Sequence, residues 1–166
     1  MRFFTPAFHR GELAERDADA LVAAYEQHLD VLAPALPAPV RVLARELVLH
    51  AARIRRVGLD RRGRELRLEL RCGDERLGWY DLDLTYLGAI LDAADVARLA
   101  AAARAPETRL LFDEVDAAPD GAFLHRLLFW PYREVEVMFR ALALRMLPRV
   151  DASVPDFPDR FVDAAG

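Results

Sequence analysis

The spacing of apolar residues changes soon after Leu49, and this change limits the folds open to the chain. Before Leu49, apolar residues recur every three or four positions, which is typical of amphipathic helices. Beyond it they alternate with charged residues, most clearly from Leu66 to Cys72, which is typical of strands with one buried face. Helices followed by strands favour the α+β class, because parallel strands would need helical crossovers between them.

The residues before Leu49 predict three helical elements. Thr5 and Pro6 are suited to the cap and first turn of a short helix, which Gly11 ends. An amphipathic helix is predicted from Asp17 to Ala33, followed by a proline-rich link. Pro39 then opens another helix. We expect these two longer helices to form an antiparallel pair that covers one face of a sheet.

The rest of the chain predicts a mainly antiparallel sheet of about six strands with one short helix inserted. That helix is capped by Asp92 and stopped before Pro106. The first strand has the least regular pattern, because Arg53, Arg55 and Arg56 break its alternation. The predicted strands cover residues 51–59, 66–72, 79–86, 108–117, 122–130 and 133–144.

The length of 166 residues predicts one domain with a substantial core, because a chain of this size buries roughly 70% of its unfolded surface. The hydrophobic fraction of 54% excludes intrinsic disorder. We assign residues 1–147 to the domain. Residues 148–166 are rich in proline and aspartate, which predicts a C-terminal arm or loose tail.

The charge balance argues against binding to nucleic acid. Lysine and arginine total 23 against 27 aspartate and glutamate residues, so the net charge of −4 has the wrong sign for phosphate backbones. The single cysteine, Cys72, alternates with leucines, which indicates a buried side chain and no internal disulfide. We find no secretory signal and no unbroken apolar run of about 18 residues. We therefore expect a cytoplasmic protein that contacts no membrane.

The sequence carries few signals for catalysis, metals or cofactors. The histidines are scattered singly, without the close spacing of a zinc site. His125 alternates with apolar residues, so we expect it to be buried and neutral with a hydrogen-bond partner. The single serine, Ser153, lies in the proline-rich tail, and no phosphate-binding loop is present. We therefore expect no catalytic nucleophile, metal ion or cofactor.

The polar face of the predicted sheet carries Asp81 and Asp83. Plausible registers place Arg71 near Asp81 or Arg67 near Asp83. Paired carboxylates could serve acid–base catalysis or bind a divalent metal. Alternating arginine and aspartate are more often cross-strand charge pairs, and we favour that interpretation. The two aspartates then become candidate contacts for a basic partner.

A second candidate contact site is the turn from Trp130 to Arg133, with Glu134 following it. Tryptophan, tyrosine and arginine are favoured at interaction hot spots, so an exposed Trp130, Tyr132 and Arg133 would indicate a partner-binding site. The alternative is that the two aromatic side chains fold over the sheet edge. General burial tendencies of aromatic residues favour this alternative.

Five features follow one another along the chain. They are the opening MRFFTP, the predicted helical pair, Leu49-His50-Ala51, Leu111 to Val115, and Gly121 to Phe129. Together they resemble an uncharacterised bacterial family, domain of unknown function 4085, over most of the chain. Relatives typically have aspartate where this chain has Ala51, so the acidic group is absent here. The resemblance implies no activity and no catalytic residues.

These observations lead to a functional hypothesis with two alternatives. The leading hypothesis is a non-catalytic protein-interaction domain, of the kind that neutralises a bacterial toxin, with an acidic sheet face meeting a basic partner. The first alternative is a small hydrolase-like enzyme that uses Asp81 and Asp83. The second is a structural protein that associates with copies of itself.

Overall fold

The computed structural model describes residues 1–76 and 78–164. Within these ranges the chain forms four α-helices and eight strands, which confirms the α+β class. No helix in the same ranges is long and apolar enough to cross a membrane. The elements are α1 (Pro6–His9), α2 (Glu15–Leu32), α3 (Ala38–Arg45), β1 (Arg53–Asp60), β2 (Glu65–Asp74), β3 (Gly78–Leu87), α4 (Ala93–Arg104), β4 (Leu110–Ala117), β5 (Phe123–Phe129), β6 (Arg133–Phe139), β7 (Ala141–Arg149) and β8 (Phe161–Ala164).

Two of the helices begin at the caps that the sequence predicts. The Thr5 hydroxyl accepts the backbone N–H of Phe8 at 3.3 Å, and the Asp92 carboxylate accepts that of Asp95 at 2.6 Å. Each bond satisfies an N–H group that has no partner within its own helix. α3 follows α2 after one turn of 3₁₀ helix, and a 2.9 Å ion pair between Arg45 and Glu26 joins the two helices.

A five-stranded sheet has the strand order β7, β3, β2, β1, β8. β7, β3, β2 and β1 are antiparallel to one another along this order, whereas β8 runs parallel to β1. Leu66, Leu68 and Leu70 of β2 are fully buried on one face, as their alternation predicts. The register places Arg71 opposite Asp81 and Arg67 opposite Thr85, so the first of the two alternative pairings forms.

A bulge explains the irregular sequence of β1. The register with β2 shifts between Ile54 and Arg56, which leaves Arg55 as an extra residue. A bulge turns two successive side chains to the same face. Arg55 and Arg56 therefore both avoid the core, while Ile54 and Val57 on either side of them are buried.

The strands form two sheets, whereas the sequence predicted a single sheet of about six strands. β4, β5 and β6 make a separate three-stranded antiparallel sheet. The predicted strand over 133–144 is divided at Arg140 into β6 and β7, and the chain crosses there from one sheet to the other. The Arg140 N–H donates to the carbonyl of Leu87 at 2.9 Å, and its guanidinium donates to the carbonyl of Asp120 at 3.1 Å.

The predicted C-terminal arm is held to the five-stranded sheet at two places. β7 extends to Arg149, beyond the expected boundary at residue 147. After an irregular stretch, the backbone of residues 161–164 pairs with β1 as β8, beginning with Phe161 beside Val57. Residues 165 and 166 of the predicted arm lie outside the described residues.

The core lies between the two sheets and α4. Contacts from α4 reach both β6 and β1, so this helix bridges the sheets. Leu99, Ala102 and Ala103 on one side of α4 belong to the core, which is the apolar stripe expected of a helix that covers a core. The predicted N-terminal helices contribute Tyr25, Leu29 and the apolar side of α3.

Candidate functional site

Asp81 lies at the centre of an arginine cluster on the outer face of the five-stranded sheet. Its carboxylate is fully buried and accepts from Arg71 Nε at 2.6 Å and from Arg149 Nε at 2.5 Å. Arg55, which the β1 bulge turns to this face, contributes Nη1 at 3.3 Å. The strand register brings these residues together, because β2 and β7 flank β3 and β1 lies beyond β2.

The C-terminal arm covers this cluster. Arg71 Nη1 donates to the backbone carbonyls of Asp151, at 3.0 Å, and of Ser153. Burial alone raises the pKa of Asp81, but the hydrogen bonds from Arg71 and Arg149 and the charge of Arg55 outweigh it and leave that pKa below its ordinary value. Asp81 is therefore an ionised structural group without surface accessible to a partner.

Asp83 remains at the surface, with 33% of its side chain exposed. It lies 3.5 Å from Arg55 Nη1 and therefore shares this arginine with Asp81. Glu69 is directly opposite Asp83 and 3.8 Å from the same guanidinium. Asp83 and Glu69 therefore share with Asp81 a single guanidinium, that of Arg55.

Trp130 and Tyr132 form a partly exposed cluster with the N-terminal helix. Their rings meet edge to face at 5.2 Å, and Trp130 is 41% exposed. The Tyr132 hydroxyl is 3.1 Å from His9 Nδ1, and the Arg10 guanidinium lies over the Tyr132 ring at 5.1 Å. We call His9, Arg10, Trp130 and Tyr132 the aromatic surface. The turn thus neither projects freely nor folds wholly into the core.

Glu134 extends the aromatic surface into a shallow depression of about 360 Å³, which is also lined by Tyr132, Asp95, Arg98 and Glu136. The Glu134 carboxylate pairs with the α-amino group of Met1. Arg133 is partly buried, and its Nη1 atom has no hydrogen-bond partner among the described residues. The structure therefore brings Trp130, Tyr132 and Glu134 together and leaves Asp81 and Asp83 on the other sheet.

Sequence reasoning missed the role of Glu114. This carboxylate is fully buried on the outer face of the three-stranded sheet and accepts the backbone N–H groups of Arg2, Phe3 and Phe4, each at 2.7 Å. The segment that it holds leads into α1 and thus into His9 and Arg10 of the aromatic surface. A buried glutamate in β4 needs hydrogen-bond donors, but the residues around it in the sequence do not indicate which groups supply them.

His125 is buried, as its alternation predicts, and links two other polar side chains. Its Nδ1 lies 2.7 Å from the Tyr86 hydroxyl, and its Nε2 lies 3.1 Å from Asp113. A neutral imidazole with its proton on Nε2 satisfies both contacts. Burial, and the charge of Asp113, raise the pKa of Tyr86 well above its ordinary value. Tyr86 and His125 have no exposed surface, so this chain of hydrogen bonds acts within the core.

Cys72 is a buried free thiol, as the sequence predicts. Burial raises its pKa to about 12, so the nucleophilic thiolate is not populated near neutral pH. Among residues 1–76 and 78–164, no group of three or more histidine, cysteine, aspartate or glutamate residues is arranged to hold a metal ion.

Comparison of the chain with protein-family models, curated proteins and solved structures found no match. The chain's own residues therefore carry the functional inference.

Proposed function

We propose that this protein is a non-catalytic, cytosolic interaction domain that binds another protein through the aromatic surface. The observation that carries the proposal is the 41% exposure of Trp130 while its ring is held against Tyr132. When a partner buries a large apolar side chain that is ordered but partly exposed, the free energy of the complex is lowered.

The aromatic surface has the composition and rigidity of an interaction hot spot. Tryptophan, tyrosine and arginine are the residues enriched at such positions. Tyr132 is held by His9 at its hydroxyl group and by Arg10 over its ring. Binding therefore costs little side-chain entropy, because these groups are ordered before a partner arrives.

The charges beside the aromatic surface favour a basic partner. Glu134 and Glu136 are about half exposed and line the adjoining depression. Glu12, which pairs with Arg10, adds a third carboxylate. A bacterial toxin with a basic binding surface is one partner of this chemistry, and opposite charges would accelerate its association.

The hydrolase-like alternative has less support. It requires Asp81 and Asp83 to act on a bound substrate. Asp81 is enclosed by three arginines beneath the C-terminal arm, and Asp83 shares one of those arginines.

We further propose that the chain belongs to domain of unknown function 4085, and this proposal rests on the sequence resemblance alone. Glu114 holds the opening segment through Phe3 and Phe4. The Ala51 N–H donates to the carbonyl of Leu110 at 2.8 Å, next to the LFDEV stretch. These contacts bring together segments that are far apart in the sequence.

The interaction proposal is tested by affinity capture from a bacterial lysate with quantitative mass spectrometry. The wild type is compared with Trp130→Ala and with the matched control Val31→Ala, since Val31 is 78% exposed on α2. Loss of a hot-spot tryptophan costs about 2 kcal/mol or more, which is roughly thirtyfold in affinity. We expect a partner that the wild type and Val31→Ala capture equally and that Trp130→Ala loses.

Two results would contradict the proposal. One is that no protein is enriched over an unrelated bait of the same net charge. The other is that Trp130→Ala, with an unchanged circular dichroism spectrum, captures the same partner in the same amount. Glu134→Lys tests the proposed preference for a basic partner, because this variant should bind a basic partner more weakly and an acidic partner more tightly.

A further inference from the structure

The four edge strands of the two sheets differ in how well they are protected. β8 is only four residues long. β6 carries α4 against it, and its Met138 is bridged by Ile90. β4 is adjoined at its start by a bridge from Arg109 to Arg53. β7 pairs with β3 over all nine of its residues; α3 contacts it, but it has no bridge on its other side among the described residues. Long regular edges of this kind readily accept another strand.

The position of Pro148 indicates which backbone groups of β7 point away from β3. Proline has no N–H, yet the ladder with β3 continues through Pro148 to Arg149. This continuity requires that residue 148 directs its backbone outward, as prolines in edge strands do. Alternate residues of an antiparallel strand share this direction. Leu142, Leu144 and Met146 therefore present their N–H and C=O groups at the free edge.

These outward groups lack partners. Among the described residues, no backbone or side-chain hydrogen bond to the N–H or C=O of Leu144 or Met146 completes the edge. Met146 is also 45% exposed, and Val48, 57% exposed, lies next to the neighbouring Tyr80, whose hydroxyl donates to the Val48 carbonyl at 3.2 Å. The edge thus combines unpaired backbone with exposed apolar side chains.

We infer that β7 pairs antiparallel with β7 of a second copy of this chain, with the two-fold axis at Leu144. The two five-stranded sheets then join into one continuous sheet of ten strands. A two-fold arrangement repeats the same contact on both copies, as in most homodimers.

The register follows from the sequence of β7. With Leu144 on the axis, Leu142 pairs with Met146 of the second copy, so each outward N–H meets a carbonyl. Arg145 then faces Ala143 of the second copy. Moving the axis to Arg145 places two arginines opposite each other, which is unfavourable. Moving it to Met146 places Leu144 opposite Pro148, which has no N–H to donate.

The inference is tested by light scattering on purified full-length protein over a range of concentrations. The wild type should approach twice the chain mass of 18.7 kDa. Met146→Pro removes one outward N–H without touching the ladder with β3, and Met146→Lys adds a charge to the edge. Both should be folded monomers. Val150→Lys, at a position 99% exposed just beyond β7, is the control and should remain dimeric.

The register is tested by mixing Ala143→Cys and Arg145→Cys variants under mild oxidation. These residues face each other across the proposed axis at a non-hydrogen-bonded position, where Cα atoms are about 4.5 Å apart, within disulfide range. The mixture should crosslink faster than either variant alone. A monomeric wild type, dimers that persist in both Met146 variants, or faster crosslinking of one variant alone would overturn the inference. None of these outcomes bears on Trp130, so the interaction proposal is tested separately.

Discussion

The outer faces of the two sheets each bury a carboxylate, and they satisfy it in different ways. Asp81 on the five-stranded sheet is surrounded by guanidinium groups from Arg55, Arg71 and Arg149. Glu114 on the three-stranded sheet receives three backbone N–H groups from the N-terminal segment. The first is neutralised by formal charges that the strands themselves supply, and the second mainly by peptide dipoles from a distant part of the chain.

The difference teaches how each terminal segment is held. At Asp81 the cluster forms from neighbouring strands, and the C-terminal arm attaches to it through Arg71. At Glu114 the N-terminal segment is itself the set of donors. Removing Asp81 should therefore weaken the whole sheet, whereas removing Glu114 should chiefly release the segment that contributes His9 and Arg10 to the aromatic surface.

The largest effect is expected for Asp81→Ala. The variant leaves Arg71, which is 4% exposed, without its buried counter-ion, and breaking a buried pair in this way costs about 3–5 kcal/mol. Urea unfolding measures this change. Asp83→Ala, at a partly exposed position on the same strand, is the control and should change stability by about 0.5 kcal/mol or less. Equal effects of the two variants would contradict the assigned role of Asp81.

Glu114→Ala should destabilise the protein by a smaller amount, about 2–3 kcal/mol. Hydrogen bonds to a charged acceptor are worth about 1.5–3 kcal/mol each, but the freed N–H groups regain water when the segment detaches. Hydrogen exchange should accelerate at Arg2, Phe3 and Phe4 in this variant and not in Asp81→Ala. Glu136→Ala, at a half-exposed position, should leave those amides protected. Uniform acceleration across all strands would contradict a local role for Glu114.

Arg149→Ala should cost about 1 kcal/mol or less. Arg149 is partly exposed, and Asp81 retains Arg71 and Arg55 after its removal. The measurement is the same urea titration, with Arg145→Ala on the same strand as the control. A loss as large as that for Asp81→Ala would mean that the three arginines are not redundant.

The smallest effect is expected from acid titration of the Asp81 cluster. The folded-state pKa of Asp81 is lowered, so its ionised form adds stability above the unfolded-state pKa of about 3.9, and this contribution is lost as the pH falls through the lower folded value. The difference in unfolding free energy between wild type and Asp81→Asn should therefore shrink below about pH 4. A difference that stays constant down to pH 2 would contradict the lowered pKa.

Local patterns in the sequence were enough to predict much of the five-stranded sheet. Strict alternation placed the leucines of β2 and β3 inward, and the predicted neighbours Arg71 and Asp81 do pair. The caps at Thr5 and Asp92 also lie where the sequence puts them. These features depend on residues within about ten positions of each other, which is the range over which periodicity and capping act.

The features that the sequence did not predict depend on distant contacts. Nothing near Arg140 signals a strand break, since neither glycine nor proline interrupts the apolar run; the carbonyls of Leu87 and Asp120 hold the chain there. The same holds for Glu114, whose donors lie at the other end of the chain. The aromatic surface was half predicted, because Trp130 and Tyr132 were recognisable but His9 was not.

The parallel strand β8 has a consequence for synthesis on the ribosome. Val57 and Phe161 pair although they lie roughly a hundred residues apart, and translation at about 5–20 residues per second leaves the outer edge of β1 open for roughly 5–20 seconds. A nascent strand with an open edge is exposed to aggregation during that delay. Arg53, Arg55 and Arg56 place three positive charges along β1. Repulsion between these charges on neighbouring nascent chains would oppose their aggregation until β8 has been synthesised and can pair with β1.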